Sequence, residues 1–411
     1  MIKGYTLKPT DLVLVYEGHT NSQNRKFLWP VLPSKGLAVV NNVILSGDTS
    51  KPALTVDKKG QARIHNANTL KLSDLASVEL AVSGVSLLVS ERKLTSVALN
   101  GRKQVDVLTL VGVKDSGLVI LAVLYDISHR QAGFVMKNLG CSEAMVLWEG
   151  WHPKEHYAGI GAREATPFPA KVLVVDPGHG GSDPGGASLG MTEKELNRLE
   201  ALSLVNKLAK YDVLVVPTRS LYYDEEMDLK DRTDLANAVG ADAVLSLHHN
   251  AYGGKGRGYE DFIYNNKGTY DDGWTPRRKD TTKDAEFQKI IHNKIVPILK
   301  EHHLLDRGMK QEDFRMVRMV NAPSVLVEWL FMDHPDEIRL IQDSVVRDKY
   351  TTALAEAVVE FLNLKVKETA KKKLYRVQVG AFTIKDNAEN LVRRLKDLGF
   401  DAFIVEVEVD D

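Results

Sequence analysis

Residues 171–190 read KVLVVDPGHGGSDPGGASLG. Leu173, Val174 and Val175 form an apolar run as long as one buried strand. Asp176-Pro177-Gly178 stops it. His179 then stands at the strand tip among Gly180, Gly181, Gly185 and Gly186. Glycines let backbone approach a ligand closely and adopt positive φ, so a histidine here is placed for a metal or a substrate. A turn carrying a surface histidine is the plain alternative, and three later pieces of the chain weigh against it.

Outward from this stretch, strands and helices alternate to about residue 364, the pattern of a doubly wound α/β domain with a twisted, mostly parallel sheet. Thr192 with Glu195 fits a capping box, and Leu196, Leu199, Leu202, Val205 and Leu208 follow as one apolar stripe. Val213–Val216 reads as a strand, closed by Pro217-Thr218-Arg219, and Asp231–Val239 as a helix ended by Gly240. Ala243–Leu247 is a strand that delivers His248-His249-Asn250. Ala285–His303 is a long helix that Pro297 should kink. Ser324–Val327 is a last strand delivering Glu328, and Asp336–Phe361 a closing helical region.

Upstream, residues 1–168 read as a mixed α/β domain. Leu12–Tyr16, Leu37–Leu45, Val78–Val89, Val105–Val113 and Leu118–Leu124 are strand-like, and Asp126–Leu139 is a helix ended by Gly140. His152 and His156 stand four apart, a metal pair or solvated loop histidines before the boundary at Ala162–Pro169. Downstream, 365–373 is a charged linker. Residues 374–411 form a small βαβ module: strand Tyr375–Val379, helix Ala388–Leu398, strand Ala402–Val407. The expected domains are thus 1–168, 169–364 and 374–411.

Composition narrows the classes. The chain has 411 residues, 44% hydrophobic and 27% charged, as in globular domains. A formal net charge of −1 gives no bulk electrostatic case for nucleic acid. The one cysteine, Cys141, allows no intrachain disulfide. No stretch approaches the roughly 18 apolar residues of a transmembrane helix. The start, MIKGYTLKPTDLVLVYEG, has no uninterrupted apolar run of a signal peptide. The expectation is synthesis in the cytoplasm, with another agent releasing the protein to any substrate outside. The sequence carries no signal for oligomeric state.

The chemistry follows from where these groups stand. Catalytic zinc typically takes three protein ligands and leaves a position for water. His179 and His248 both end strands, and such ends converge on one crevice in an open α/β sheet. Glu193 opens the helix beside the first loop and faces the same crevice. Glu195 competes, but the capping box would use it. Glu328, carried to a strand end, is the candidate proton-transfer group; its alternative is a helix cap or a salt bridge near Asp333 and Asp336. Singly each position is a weak signal.

Together the ordered segments DPGHGGSDPGG, GMTEKELN, TR, SLHHNA and PSVLVEWLF resemble those of the zinc-dependent N-acetylmuramoyl-L-alanine amidases. The resemblance spans about residues 171–364. It implies Zn²⁺ held by His179, Glu193 and His248, catalytic Glu328, and hydrolysis of the amide between N-acetylmuramic acid and L-alanine in peptidoglycan. It gives Asn250, Arg219 and Arg232 as recurrent positions, read here as scaffold. Leu330 and His334 depart from the usual Gly and Asn, which touches the expected substrate rim. His249 should point to the opposite face from His248.

At the C-terminus, YRVQVGAFTIKDNAENLVRRLKDLGFDAFIVEV resembles one half of a sporulation-related (SPOR) repeat, which implies glycan-strand binding; Gln378, Gly380, Ala381 and Phe382 carry the match. Met136–Pro153 resembles the end of phosphodiester glycosidase-like domains, but Trp148, Glu149, Gly150 and Trp151 replace the acidic, glycine- and serine-rich turn. The expectation is a cell-wall hydrolase, either a phage endolysin or a mother-cell autolysin. The rivals are an inactive wall-binding or virion structural protein, and a zinc peptidase cutting within the stem peptide.

Overall fold

The computed structural model describes residues 2–7, 12–16, 26–30, 37–40, 43–47, 50–70, 74, 77–149, 158–162, 166–266, 280–367, 384–397 and 404. Two compact units form, Met1–Val366 and Lys367–Asp411.

At the centre of the first unit is a six-stranded sheet. Its order is Val213–Pro217, Lys171–Pro177, Ala243–Asn250, Ser324–Phe331, Tyr259–Tyr264, Asp306–Glu312. The first four strands run parallel, and Tyr259–Tyr264 is antiparallel to Ser324–Phe331. Alternation along the strands sends side chains to two faces. Leu173, Val175, Leu245, Leu247, Val325 and Val327 join one cluster with Leu204, Ile291 and Leu354 of the helices Glu193–Leu208, Thr282–Glu301 and Ser344–Leu362. Val172, Val174 and Val244 meet Leu235 and Met316 of the helices Leu229–Val239 and Arg315–Arg318 on the other. A sheet buried on both faces needs continuous apolar strands, which is how these segments read.

The N-terminal residues form antiparallel sheets. The largest has seven strands, with Cys141–Glu149, Gln104–Lys114 and Val119–Ser128 at its centre. The helix His129–Asn138 lies beneath it, and its Ala132, Val135 and Met136 belong to the same cluster as Leu235 and Val174. The N-terminal layer and the six-stranded sheet therefore share apolar core.

Several local expectations are corrected. Leu37–Leu45 and Val78–Val89 are each two strands, Leu37–Val40 with Val43–Gly47 and Val78–Ser83 with Ser86–Ser90. The strand Val119–Ser128 runs on through Asp126, so the helix begins at His129, where Ser128 and Gln131 form a capping box. Thr192 is an N-cap without a side-chain cap bond, and Glu195 is paired with Arg198. The buried face of Glu193–Leu208 is Leu196, Asn197, Glu200, Ala201, Leu204 and Leu208, with Leu199, Leu202 and Val205 only partly covered. Pro297 sits within the continuous helix Thr282–Glu301. The closing helical region is two helices, Glu337–Gln342 and Ser344–Leu362.

In the second unit the helix Lys385–Asp397 is described. The strands expected at Tyr375–Val379 and Ala402–Val407, and His152 with His156, lie outside the described residues. Among the described residues no helix is long and apolar enough to cross a membrane.

Candidate metal and hydrolytic site

The candidate groups gather at the carboxyl ends of the parallel strands. Gly178 follows the Lys171–Pro177 strand, and a Cβ there would lie 2.1 Å from the His248 ring, so only glycine lets that ring in. His179 takes φ 61°, a left-handed conformation rare for a side-chain-bearing residue. Two buried guanidinium groups hold this turn. Arg219 donates to the Pro177 carbonyl at 2.8 Å and the Gly178 carbonyl at 3.2 Å. Arg232 donates to the carbonyls of Pro177 at 2.8 Å and His179 at 2.6 Å. Asp176 anchors Arg232 at 2.8 Å and accepts from Thr218 at 2.5 Å and Ser246 at 2.6 Å. Burial opposes the Asp176 charge, but Arg232 and the two hydroxyls hold its pKa below the ordinary value.

His179, Glu193 and His248 come together as expected. One ligand atom from each lies within 4.8 Å of the others. Glu193 Oε1 is 3.1 Å from His179 Nε2 and 3.1 Å from His248 Nδ1. Zinc–ligand bonds of about 2.0–2.2 Å in a tetrahedron put ligand atoms about 3.3–3.6 Å apart, so this donor set and spacing fit that ion. Asp183 Oδ2, 2.7 Å from His179 Nδ1, orients the imidazole from behind. Glu193 is buried; burial disfavours its charge, yet the two imidazoles hold its pKa far below the usual carboxylate range. Gly185 and Gly186 make room for it: a Cβ on Gly185 would sit 2.5 Å from Glu193 Oε2, and the Gly186 N–H donates to the same oxygen at 2.9 Å.

Glu328 is not at a strand end but inside the strand Ser324–Phe331, in register with His248 on the neighbouring strand. The strand continues because Trp329, Leu330 and Phe331 bury in the core. Glu328 is partly exposed, while its Oε2 is enclosed and makes no hydrogen bond among the described residues. Burial, then the charges of Glu193 and Glu260, push its pKa well above the ordinary value. A carboxyl held this way keeps its proton more readily than a solvated one, the property a proton donor needs.

His249 points the other way, its Nδ1 3.0 Å from Asn197 Oδ1 and its Nε2 3.2 Å from Glu200 Oε1. Asn250 donates to Glu260 Oε1 at 2.7 Å, and Arg307 donates to Glu260 Oε2 at 2.8 Å, with Lys310 on the same oxygen. Leu330 is fully buried, so this departure from the usual residue lies in the core and not on a substrate rim. Sequence reasoning passed over Asp176, Asp183, Asn197, Glu200 and Glu260. Asp183, four residues after His179, was the one with a local signal.

The sequence profile described as N-acetylmuramoyl-L-alanine amidase matches residues 173–360. Residues 11–147 match the phosphodiester glycosidase profile and 351–409 the SPOR domain profile. The amidase CwlM of Bacillus licheniformis is 33% identical over 233 residues, covering 57% of this chain and 84% of that one. The sporulation-specific N-acetylmuramoyl-L-alanine amidase of Bacillus subtilis matches to the same extent, 33% over 233 residues with 57% and 84% covered. The endolysin of Bacillus phage SPP1 is 31% identical over 252 residues, covering 59% of this chain and 86% of that one. The chain belongs to the N-acetylmuramoyl-L-alanine amidase family. The SPOR match begins inside the helix Ser344–Leu362, which packs in the catalytic core through Tyr350, Leu354 and Val358.

Proposed function

We propose that this protein hydrolyses the amide between N-acetylmuramic acid and L-alanine in peptidoglycan, with Zn²⁺ held by His179, Glu193 and His248. The single observation behind this reading is the convergence of those three ligand atoms beside Glu328, on the strand position paired with His248. Zinc bound there would supply a Lewis acid for the amide carbonyl and a water whose pKa is lowered to about 7. Asp183 fixes the His179 ring, and the backbone N–H groups of Gly186 and His249 hold Glu193, at 2.9 Å and 3.1 Å. Glu328 takes the proton of the attacking water and gives it to the departing alanine nitrogen. Its in-register place beside His248 supports this role.

Residues 169–364 carry this chemistry in our reading, and 374–411 tether it to glycan, which raises effective substrate concentration. A wall reached by release from the cytoplasm, in phage lysis or in mother-cell lysis, is the setting we propose. A phage endolysin and a sporulation amidase among the relatives support it. Mass spectrometry of digested walls tests the bond: intact glycan with free L-alanine N-termini is expected. New termini within the stem peptide would make it a peptidase, and no product from a zinc-loaded chain would make it a wall-binding protein.

A further inference from the structure

The segment 220–227 lies between the N-terminal helix His129–Asn138 and the loop that carries His179. On one side it fits into the glycines. The Gly181 N–H donates to Asp224 Oδ1 at 2.9 Å, and Ser182 donates to Glu226 Oε2 from its hydroxyl at 2.9 Å and its N–H at 3.3 Å. A Cβ on Gly180 would lie 2.3 Å from the Glu225 carbonyl oxygen, and one on Gly181 would lie 2.3 Å from Glu226 Cβ. The two backbones are in direct contact.

On its other side the segment is gripped from the N-terminal layer. Lys137, its side chain 3% exposed, is ion-paired with Glu225, whose other oxygen accepts from the Ser220 N–H at 3.0 Å. The ammonium also lies 5.3 Å from the Phe134 ring centre and 5.6 Å from that of Tyr223. The Tyr223 hydroxyl donates to the Arg92 carbonyl at 2.7 Å. Asn138 donates to the carbonyls of Pro217 at 2.8 Å and Thr218 at 3.1 Å, and Arg130 pairs with Asp231 at 2.6 Å.

We infer that the N-terminal layer is a brace for the metal-site loop, with Lys137 as a positioning residue that acts through Glu225 on Gly180–Ser182 and so on His179. The inference rests on the zinc reading of the site. A buried ammonium facing one carboxylate is a discrete lock: removing it leaves Glu225 uncompensated in a dry place, and the segment must move to rehydrate it. Burial pulls the Lys137 pKa down to about 7. Groups that orient metal ligands from behind typically matter by about 10–100-fold in metal affinity.

The test uses the full chain. Lys137→Met should weaken zinc binding about tenfold, read by competition with a chromophoric chelator. Amide exchange at Gly181 and Ser182 should quicken in the same variant, with or without metal. Val111→Ala, in the N-terminal sheet and fully buried, should lower the melting temperature and leave both readouts unchanged. Glu225→Gln keeps the shape and the Ser220 bond, and serves if Lys137→Met does not fold; it should move both readouts in the same direction. Wild-type affinity and wild-type exchange in these charge variants would overturn the brace. Equal effects from Val111→Ala would reduce it to general stability. A wild-type chain that binds no zinc would instead overturn the function reading, while the exchange measurement would still decide the brace.

Discussion

His248 and Glu328 occupy paired positions on adjacent parallel strands. Their side chains therefore leave the sheet on the same face, and Glu193, at the start of a helix packed on the other face, reaches His248 Nδ1 at 3.1 Å. The proposed metal ligand and the proposed proton carrier are thus set side by side by backbone register.

Glu328→Gln separates the roles open to that carboxyl. It should keep zinc and fold and lose about 10²–10⁴ in hydrolysis rate, since an amide of nearly the same shape cannot carry the proton. Its melting temperature should equal or exceed the wild type, because the carboxyl is enclosed beside Glu193 and Glu260. Lost metal would mark Glu328 as a ligand; near-normal turnover would place the base elsewhere.

The two neighbouring histidines should fail differently. His248→Ala should abolish stoichiometric zinc with little change in fold, measured by metal analysis after dialysis. His249→Gln strips Glu200 of its buried partner, so about 3–5 kcal/mol of stability should go, seen in urea unfolding. The folded fraction should still hold one zinc per chain. Zinc lost from folded His249→Gln would invert the assignment of the two faces.

Arg232→Met should be among the most damaging changes away from the ligands. It leaves Asp176 charged, buried and without its ion-pair partner, and frees the carbonyl of His179. A loss of about 3–5 kcal/mol is expected. Because Asp176 titrates below its ordinary value when folded, the wild-type contribution is present above the unfolded pKa of about 3.8 and fades as pH falls through the folded one. The gap between wild type and variant should therefore narrow in acid. A gap that holds constant would mean that Asp176 is not charged.

His292 gives a pH dependence of opposite sign. Its Nδ1 lies 2.8 Å from Asp261 Oδ2 and its Nε2 3.3 Å from Asp306 Oδ2. The bond to Asp261 raises its pKa, against burial and with both carboxylate charges. A raised folded pKa means stability fully present below the unfolded value, about 6.5, and lost as pH rises through the folded one. His292→Gln should cost about 1–3 kcal/mol at pH 6 and less at pH 9. Melting curves of the two proteins across that range check it, and parallel curves would refute the charged pair.

Much of this was legible because its signals are local. An apolar run, a stop and a glycine loop place His179, and the next run places His248. The αL glycine at 240 ends its helix where the sequence says. The rest depends on partners far along the chain. Asn197 and Glu200 break the apolar stripe of their helix because they bury against His249, which no periodicity of one helix reveals. The capping box did not form, and Glu195 pairs with Arg198 within its own helix. Glu328 looked like a strand end because a charge inside a buried strand is uncommon, yet Trp329, Leu330 and Phe331 carry the strand onward. The packing of the N-terminal layer on the Leu229–Val239 helix has no local signature.

The sheet has two unlike rims. One, Asp306–Glu312, reads DRGMKQE, and charged side chains on an outer strand discourage another chain from pairing with it. The other, Val213–Pro217, reads VLVVP and is apolar up to its proline. The residues that follow this rim are tied to the N-terminal layer by Asn138, and Leu214 packs on the core that both layers share. Proteolytic loss of the N-terminal layer would thus remove cover from a rim strand that has no charges of its own to repel a neighbour. Clipped molecules should associate along that rim, and a single lysine at Leu214 should keep them apart.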